Sequence, residues 1–173
     1  MQNKLVSQLI TFVIYLLFHI FVSSKVILWG SIYFYLYVNF LLLLSPQITK
    51  TRLLLVAFGV GTIIDMIEYS PGVHTAASLM LAFVRPYALG LLADTNKLNE
   101  DELRRISIEE IGFINYIIYA FSLIFIHHFF VFFLEAWTSS FIITTLKKTF
   151  FSSITTLFLS IIIQYLFLVK VKK

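Results

Sequence analysis

AFGVGTIIDMIEYSPGVHTAASLMLAFVR, residues Ala57 to Arg85, decides how the rest of the chain is read. It is an apolar segment, a short polar turn and a second apolar segment. In the first half Ala57, Gly61 and Asp65 recur every four residues and share one helix face, and Glu68 extends that stripe. Small residues at this spacing let two helices approach closely. Tyr69-Ser70-Pro71-Gly72 is a reversal signal. In the second half His74, Ser78, Ala82 and Arg85 fall at steps of four, four and three and form another stripe. Pro86 should kink or loosen the helix that carries them. The pattern predicts a helical hairpin with facing stripes. Ionisable groups in so apolar a setting are costly and mark a working or assembly surface.

Position along the hairpin limits which side chains meet. Asp65 and His74 stand about equally far from the turn. Arg85 lies about eight residues deeper than a residue opposite Asp65, a distance of roughly 12 Å at the helical rise. The expectation is Asp65 or Glu68 near His74, with Arg85 paired elsewhere or reaching the headgroups.

The setting is a membrane. The 173 residues are 60% hydrophobic and 13% charged, with mean hydropathy +0.93. A soluble domain carries about a quarter charged residues. One membrane domain, residues 1–173, is expected. No basic, aromatic-interleaved surface suggests nucleic acid. The absence of cysteine excludes disulfides, thiol nucleophiles and thiolate metal sites. His19, His74, His127 and His128 lack ligand spacing, so no metal is expected. HExxH, GxSxG and Walker patterns are missing, and neither catalytic residues nor a cofactor are expected.

Apolar runs predict an all-α protein with six spans: 5–22, 27–44, 53–67, 73–92, 113–134 and 150–169. The N-terminal run imitates a signal peptide but is longer than one, and further spans follow. His19 reads as an interfacial histidine. Trp29, Tyr33, Tyr35 and Tyr37 read as an interfacial belt, and Asn39 as a contact to a neighbouring helix. Ser45-Pro46-Gln47 opens a loop, with Thr49 or Thr51 capping the next helix. Residues 93–112 are either an amphipathic helix on the membrane surface or a solvated loop. Residues 139–153 are either a loop or the start of the last helix.

Six spans put both termini on one side. That side collects Lys4, Lys50, Arg52, Lys97, Arg104, Arg105, Lys170, Lys172 and Lys173, against Lys25, Lys147 and Lys148 opposite. Both termini are therefore expected in the cytoplasm. Asp65 then lies near an interface, not at the midplane where transporters commonly bind substrate. A scaffold reading fits the small-residue stripes and aromatic faces at least cost.

Three runs carry a resemblance: Gly61-Thr62-Ile63-Ile64-Asp65-Met66, Pro71-Gly72-Val73-His74-Thr75-Ala76-Ala77 and Ala82-Phe83-Val84-Arg85-Pro86. Together they resemble the hairpin of the MreD family, small rod-shape-determining membrane proteins of bacteria, in its Bacteroidetes-type variant. Ser45-Pro46-Gln47 also fits that variant. The motif match covers residues 40–92, and length and span count extend it over the chain. Thr62-Ile63-Ile64 stands in place of the common leucines, and Pro71 in place of the usual leucine before the glycine.

The resemblance implies a fold similar to the six-helix substrate-binding (S) components of ECF vitamin transporters, and no enzymatic activity. It implies a bacterial inner-membrane protein of the cell-elongation machinery. Its partners there would be membrane lipid, an MreC-like protein, the MreB filament, RodA and a PBP2-like cross-linking enzyme. Gly61, Asp65, Gly72 and His74 would carry the hairpin's structure or a partner contact. Glu68 and Arg85 join them as candidates from the polar stripes. The runner-up is a membrane substrate-binding subunit of a vitamin-type transporter.

Overall fold

The computed structural model describes residues 2–23, 27–28, 31–96, 106–137 and 142–168. Among these the chain is helical, with no strand and one isolated bridge between Leu28 and Ile32. Helix α1 (Gln2–Phe18) continues into a π-helical turn (His19–Ser23). A short α2 (Val38–Leu43) precedes the hairpin of α3 (Lys50–Glu68) and α4 (Val73–Asn96). Then come the single turn α5 (Ile108–Ile111), α6 (Phe113–Ala136) and α7 (Ile142–Ile163), which ends in a π-helical turn (Gln164–Leu168). Among the described residues three helical stretches are long and apolar enough to cross a membrane: Val73–Leu92, Phe113–Ala136 and Ile142–Leu166.

Helices α3, α4, α6 and α7 pack side by side in that order. Helix α2 lies against α4 and α6, and α1 flanks α2. The distribution of polarity explains the bundle. Its outward faces expose Leu55, Phe58, Phe83, Leu91, Ile114, Ile143 and Phe158. Its interior holds all four histidines, Asn39, Arg85 and a row of Ser and Thr. Water would not support that arrangement, whereas hydrocarbon outside and polar partners inside do.

Residues 27–44 do not form one span-length helix. Only Val38–Leu43 is helical, and 31–37 is turn and irregular backbone. Yet Phe34 to Leu42 are all buried. Non-helical backbone at such depth is tolerated where protein surrounds it and supplies partners. Tyr33 N donates to Ser152 Oγ at 3.1 Å, and Arg85 and Tyr119 serve the carbonyls of Leu42 and Leu44. The tyrosines assigned to an interfacial belt fill the core instead: Tyr35 and Tyr37 are buried.

The last helix begins earlier than position 150. Residues 142–153 are helical because Thr145, Thr149, Ser152 and Ser153 turn inward on one face. Thr49 takes the N-cap position of α3 without a side-chain cap bond, and α4 runs on through Pro86. Residues 97–105, which make up much of the amphipathic connection, lie outside the described residues. So do Lys25, Trp29, residues 139–141, Lys170, Lys172 and Lys173.

Candidate functional site

The hairpin turn is built on one carboxylate. Asp65 begins the last turn of α3, and its backbone carbonyl accepts from Tyr69 N and Ser70 N. Tyr69 closes the helix in the left-handed conformation (φ 54°), and Gly72 sits at φ 83°, where a side chain is strained. The Asp65 side chain then reaches the start of α4. Oδ1 accepts from His74 N (2.8 Å) and Ser70 Oγ (3.1 Å). Oδ2 accepts from Gly72 N (3.1 Å), Thr75 N (3.0 Å) and Thr75 Oγ1 (2.6 Å). A helix leaves its first N–H groups unpaired, and an N-cap side chain normally answers them. Here the preceding helix delivers the cap, and a negative charge suits the positive end of α4.

Gly61 makes that reach possible. A Cβ at this position would stand 2.5 Å from Thr75 Cα and 2.8 Å from the His74 carbonyl oxygen. Backbone cannot yield as a flexible side chain can, so only glycine allows this approach. The stripe of Ala57, Gly61 and Asp65 is therefore the contact face of α3. His74, Ser78, Ala82 and Arg85 form the buried face of α4.

The expected pairing of Asp65 with His74 runs through the His74 backbone N–H, not its ring. Glu68 goes elsewhere: its Oε1 lies 3.1 Å from His19 Nε2, and its side chain is half-buried. Arg85 does not reach headgroups. It is buried, donating from Nε to Tyr119 Oη at 2.8 Å and from Nη2 to the carbonyls of Leu42 and Leu44. Tyr119 Oη also donates to Leu42 O at 3.1 Å. Arg85 and Tyr119 thus answer the open carbonyls where α2 ends.

A second region draws on residues far apart in the chain. The four histidines, read as scattered, converge on the irregular segment before α2. Tyr37 Oη lies 2.9 Å from His74 Nδ1 and 2.7 Å from His127 Nε2. If the phenol donates to one ring, the other ring donates back, so the two imidazoles hold complementary protonation about one oxygen. His19 meets the Tyr37 ring edge-on at 5.1 Å between centroids, so it is a core residue, not an interfacial one. Tyr35 contacts His74 and His128 at 5.0 and 5.1 Å. His128 bonds Ile124 O through Nδ1 (2.9 Å) and Thr156 Oγ1 through Nε2 (3.1 Å). Among the described residues His127 Nδ1 is buried without a hydrogen-bond partner, and so are both amide atoms of Asn39, which bonds none of the described helices through its side chain.

Helix α7 supplies the other wall. Thr145, Thr149, Ser152, Thr156 and Ser160 recur at helical spacing and are buried. Ser152 meets Tyr33 N, Thr156 meets His128, and Ser160 lies 2.6 Å from Tyr116 Oη. Beside this wall Lys148 Nζ sits 4.3 Å from the Tyr33 ring centroid, 4.2 Å from that of Phe132 and 3.5 Å from Glu135 Oε2. The α7 spacing was a readable signal, although its polar residues look like a loop.

The centre is packed with its own side chains. Tyr35, Tyr37 and the four histidines are all buried. Among the described residues no group of three His, Asp or Glu side chains is placed to hold a metal ion. On its surface, by contrast, the hairpin presents a hollow of about 520 Å³, lined by Phe58, Thr62, Met66 and Tyr69, with Asp65 and Gly72 also in its wall. Compared with known proteins, the chain matches no family model, no curated protein and no solved structure.

Proposed function

We propose that the chain is a non-enzymatic adaptor of the bacterial inner membrane, of the MreD type, working in cell elongation and peptidoglycan synthesis. In this reading α1, the discontinuous stretch 27–44 that ends in α2, and α3 join the three long helices as six membrane segments, in an S-component-like arrangement with both termini in the cytoplasm. Its partners are an MreC-like protein and, through it or beside it, MreB, RodA and a PBP2-like enzyme.

One observation carries the reading. Gly61, Asp65, Gly72 and His74, on which the resemblance rests, are used up in building a closed hairpin, while Phe58, Met66 and Tyr69 stand exposed around a hollow on its outer side. A rigid unit with an exposed apolar face suits lateral association with other membrane helices. A substrate-binding subunit calls for a concave, ligand-sized site lined by aromatic and polar groups. Tyr35, Tyr37 and the four histidines fill their own centre, and the groove between α4 and α6 is lined mostly by apolar side chains.

The transporter reading keeps one point in its favour. Discontinuous spans are where transporters commonly place substrates, and the chain before α2 is discontinuous at Tyr35 and Tyr37. A gentle-detergent pull-down of the tagged protein from its native membrane separates the two. An MreC-like protein or wall-synthesis enzymes are expected in the eluate, and Tyr69→Ala with Met66→Ala should reduce them. Recovery of an ATPase with a coupling membrane subunit would overturn the adaptor reading.

A further inference from the structure

Helices α4 and α6 pack against each other and flank a groove beside the second half of α4. There Val84, Tyr87 and Leu91 of α4 face Ile114, Asn115 and Ile118 of α6 across a groove of about 570 Å³. Leu91 and Ile114 are largely exposed, so the groove opens to whatever surrounds the bundle. Its lining is mostly apolar. A positive charge stands beside it: Lys50 Nζ, at the start of α3, is 5.3 Å from the centroid of the ring of Tyr87, one of the lining residues. Tyr119 forms part of the wall, and behind it lies the Arg85 guanidinium, whose described partners are neutral oxygens of Tyr119, Leu42 and Leu44.

An apolar trough with positive charge at one rim is the complement of an amphiphile with a negative head. Cationic side chains beside a bilayer favour anionic lipids. We propose that this groove seats an acyl chain of an anionic phospholipid from the surrounding bilayer, with the lipid phosphate on Lys50 at the Tyr87 rim. The proposal rests on membrane embedding alone and is independent of the elongation role.

The full chain, purified in mild detergent, is offered equal amounts of phosphatidylglycerol and phosphatidylcholine of the same chain length. Retained lipid is counted by native mass spectrometry. The expected preference for phosphatidylglycerol is about five-fold, the weight of one lysine beside an anionic headgroup. Lys50→Gln should bring the two lipids near parity. Leu91→Trp, which fills the groove without changing charge, should lower retention of both. Lys147→Gln, in a different pocket beside α7, should leave the preference as it is. Soluble glycerol phosphate should not displace the lipid, because the acyl chain anchors it. Equal retention of the two lipids by the wild type, or an unchanged preference in Lys50→Gln, overturns the proposal. So do unchanged retention in Leu91→Trp and displacement by glycerol phosphate. Retention of no lipid would mean that another part of the chain or a second copy fills the groove, and it overturns the proposal as well.

Discussion

At the hairpin turn one carboxylate answers five donors, three of them backbone N–H groups. At the neighbouring centre four imidazoles gather about two phenols. The first set of bonds closes within ten residues of sequence. The second joins side chains separated by 37 and 90 residues. The hairpin can therefore form as soon as its two helices exist, whereas the centre exists only when the whole bundle does. The hairpin also satisfies its polar groups through backbone, which makes it intolerant of change. The centre satisfies its groups mostly side chain to side chain, and among the described residues some, such as His127 Nδ1, have no partner.

The largest effect should come from Asp65→Ala. It leaves the first N–H groups of α4 open and should cost about 3 kcal/mol in an unfolding titration of the purified protein in mild detergent. A loss below 1 kcal/mol would mean that the cap contributes little to the fold and that the hairpin depends on its bonds no more than the centre does. Gly61→Ala comes next. The added methyl meets α4 backbone, and overpacking of this kind should cost about 2 kcal/mol. A wild-type unfolding midpoint for Gly61→Ala would contradict the close approach of α3 and α4. Tyr37→Phe should cost least, about 1 kcal/mol, as side-chain bonds between membrane helices usually do. Its clearer signature is spectroscopic: the ring-nitrogen signals of His74 and His127 should both move, because both lose the same oxygen. Movement of one alone would show that Tyr37 does not bridge them.

The same contrast explains what could be read from the sequence. Ala57, Gly61 and Asp65 announce a packed face by spacing alone, and Pro71-Gly72 announces the turn. Their contacts are local, so a local pattern suffices. That Asp65 would meet backbone and not a ring was not legible, because a carboxylate near a histidine suggests an ion pair first. The centre gave no pattern, since His19, Tyr37, His74 and His127 come from separate elements. The break before α2 was hidden for a different reason. Aromatic residues crowding one end of an apolar run look like a headgroup belt, and only the Ser152, Tyr119 and Arg85 partners reveal that this stretch is core. The Ser and Thr row of α7 was legible in its period but was obscured by its loop-like composition.

The irregular stretch from Ser31 to Tyr37 has a consequence for how the chain is made. A helix can enter a bilayer alone because it satisfies its own backbone, but an open stretch cannot. The partners this region depends on, Arg85, Tyr119 and Ser152, all follow it in the chain. During synthesis residues 31–44 are exposed at the membrane before any of those partners has been translated. This part of the protein must wait at the insertion machinery, or in a provisional form, until α7 arrives. Integration of the first third of the chain is then completed by its last third, and a chain truncated before Ser152 should leave its N-terminal segments open to insertion-quality proteases.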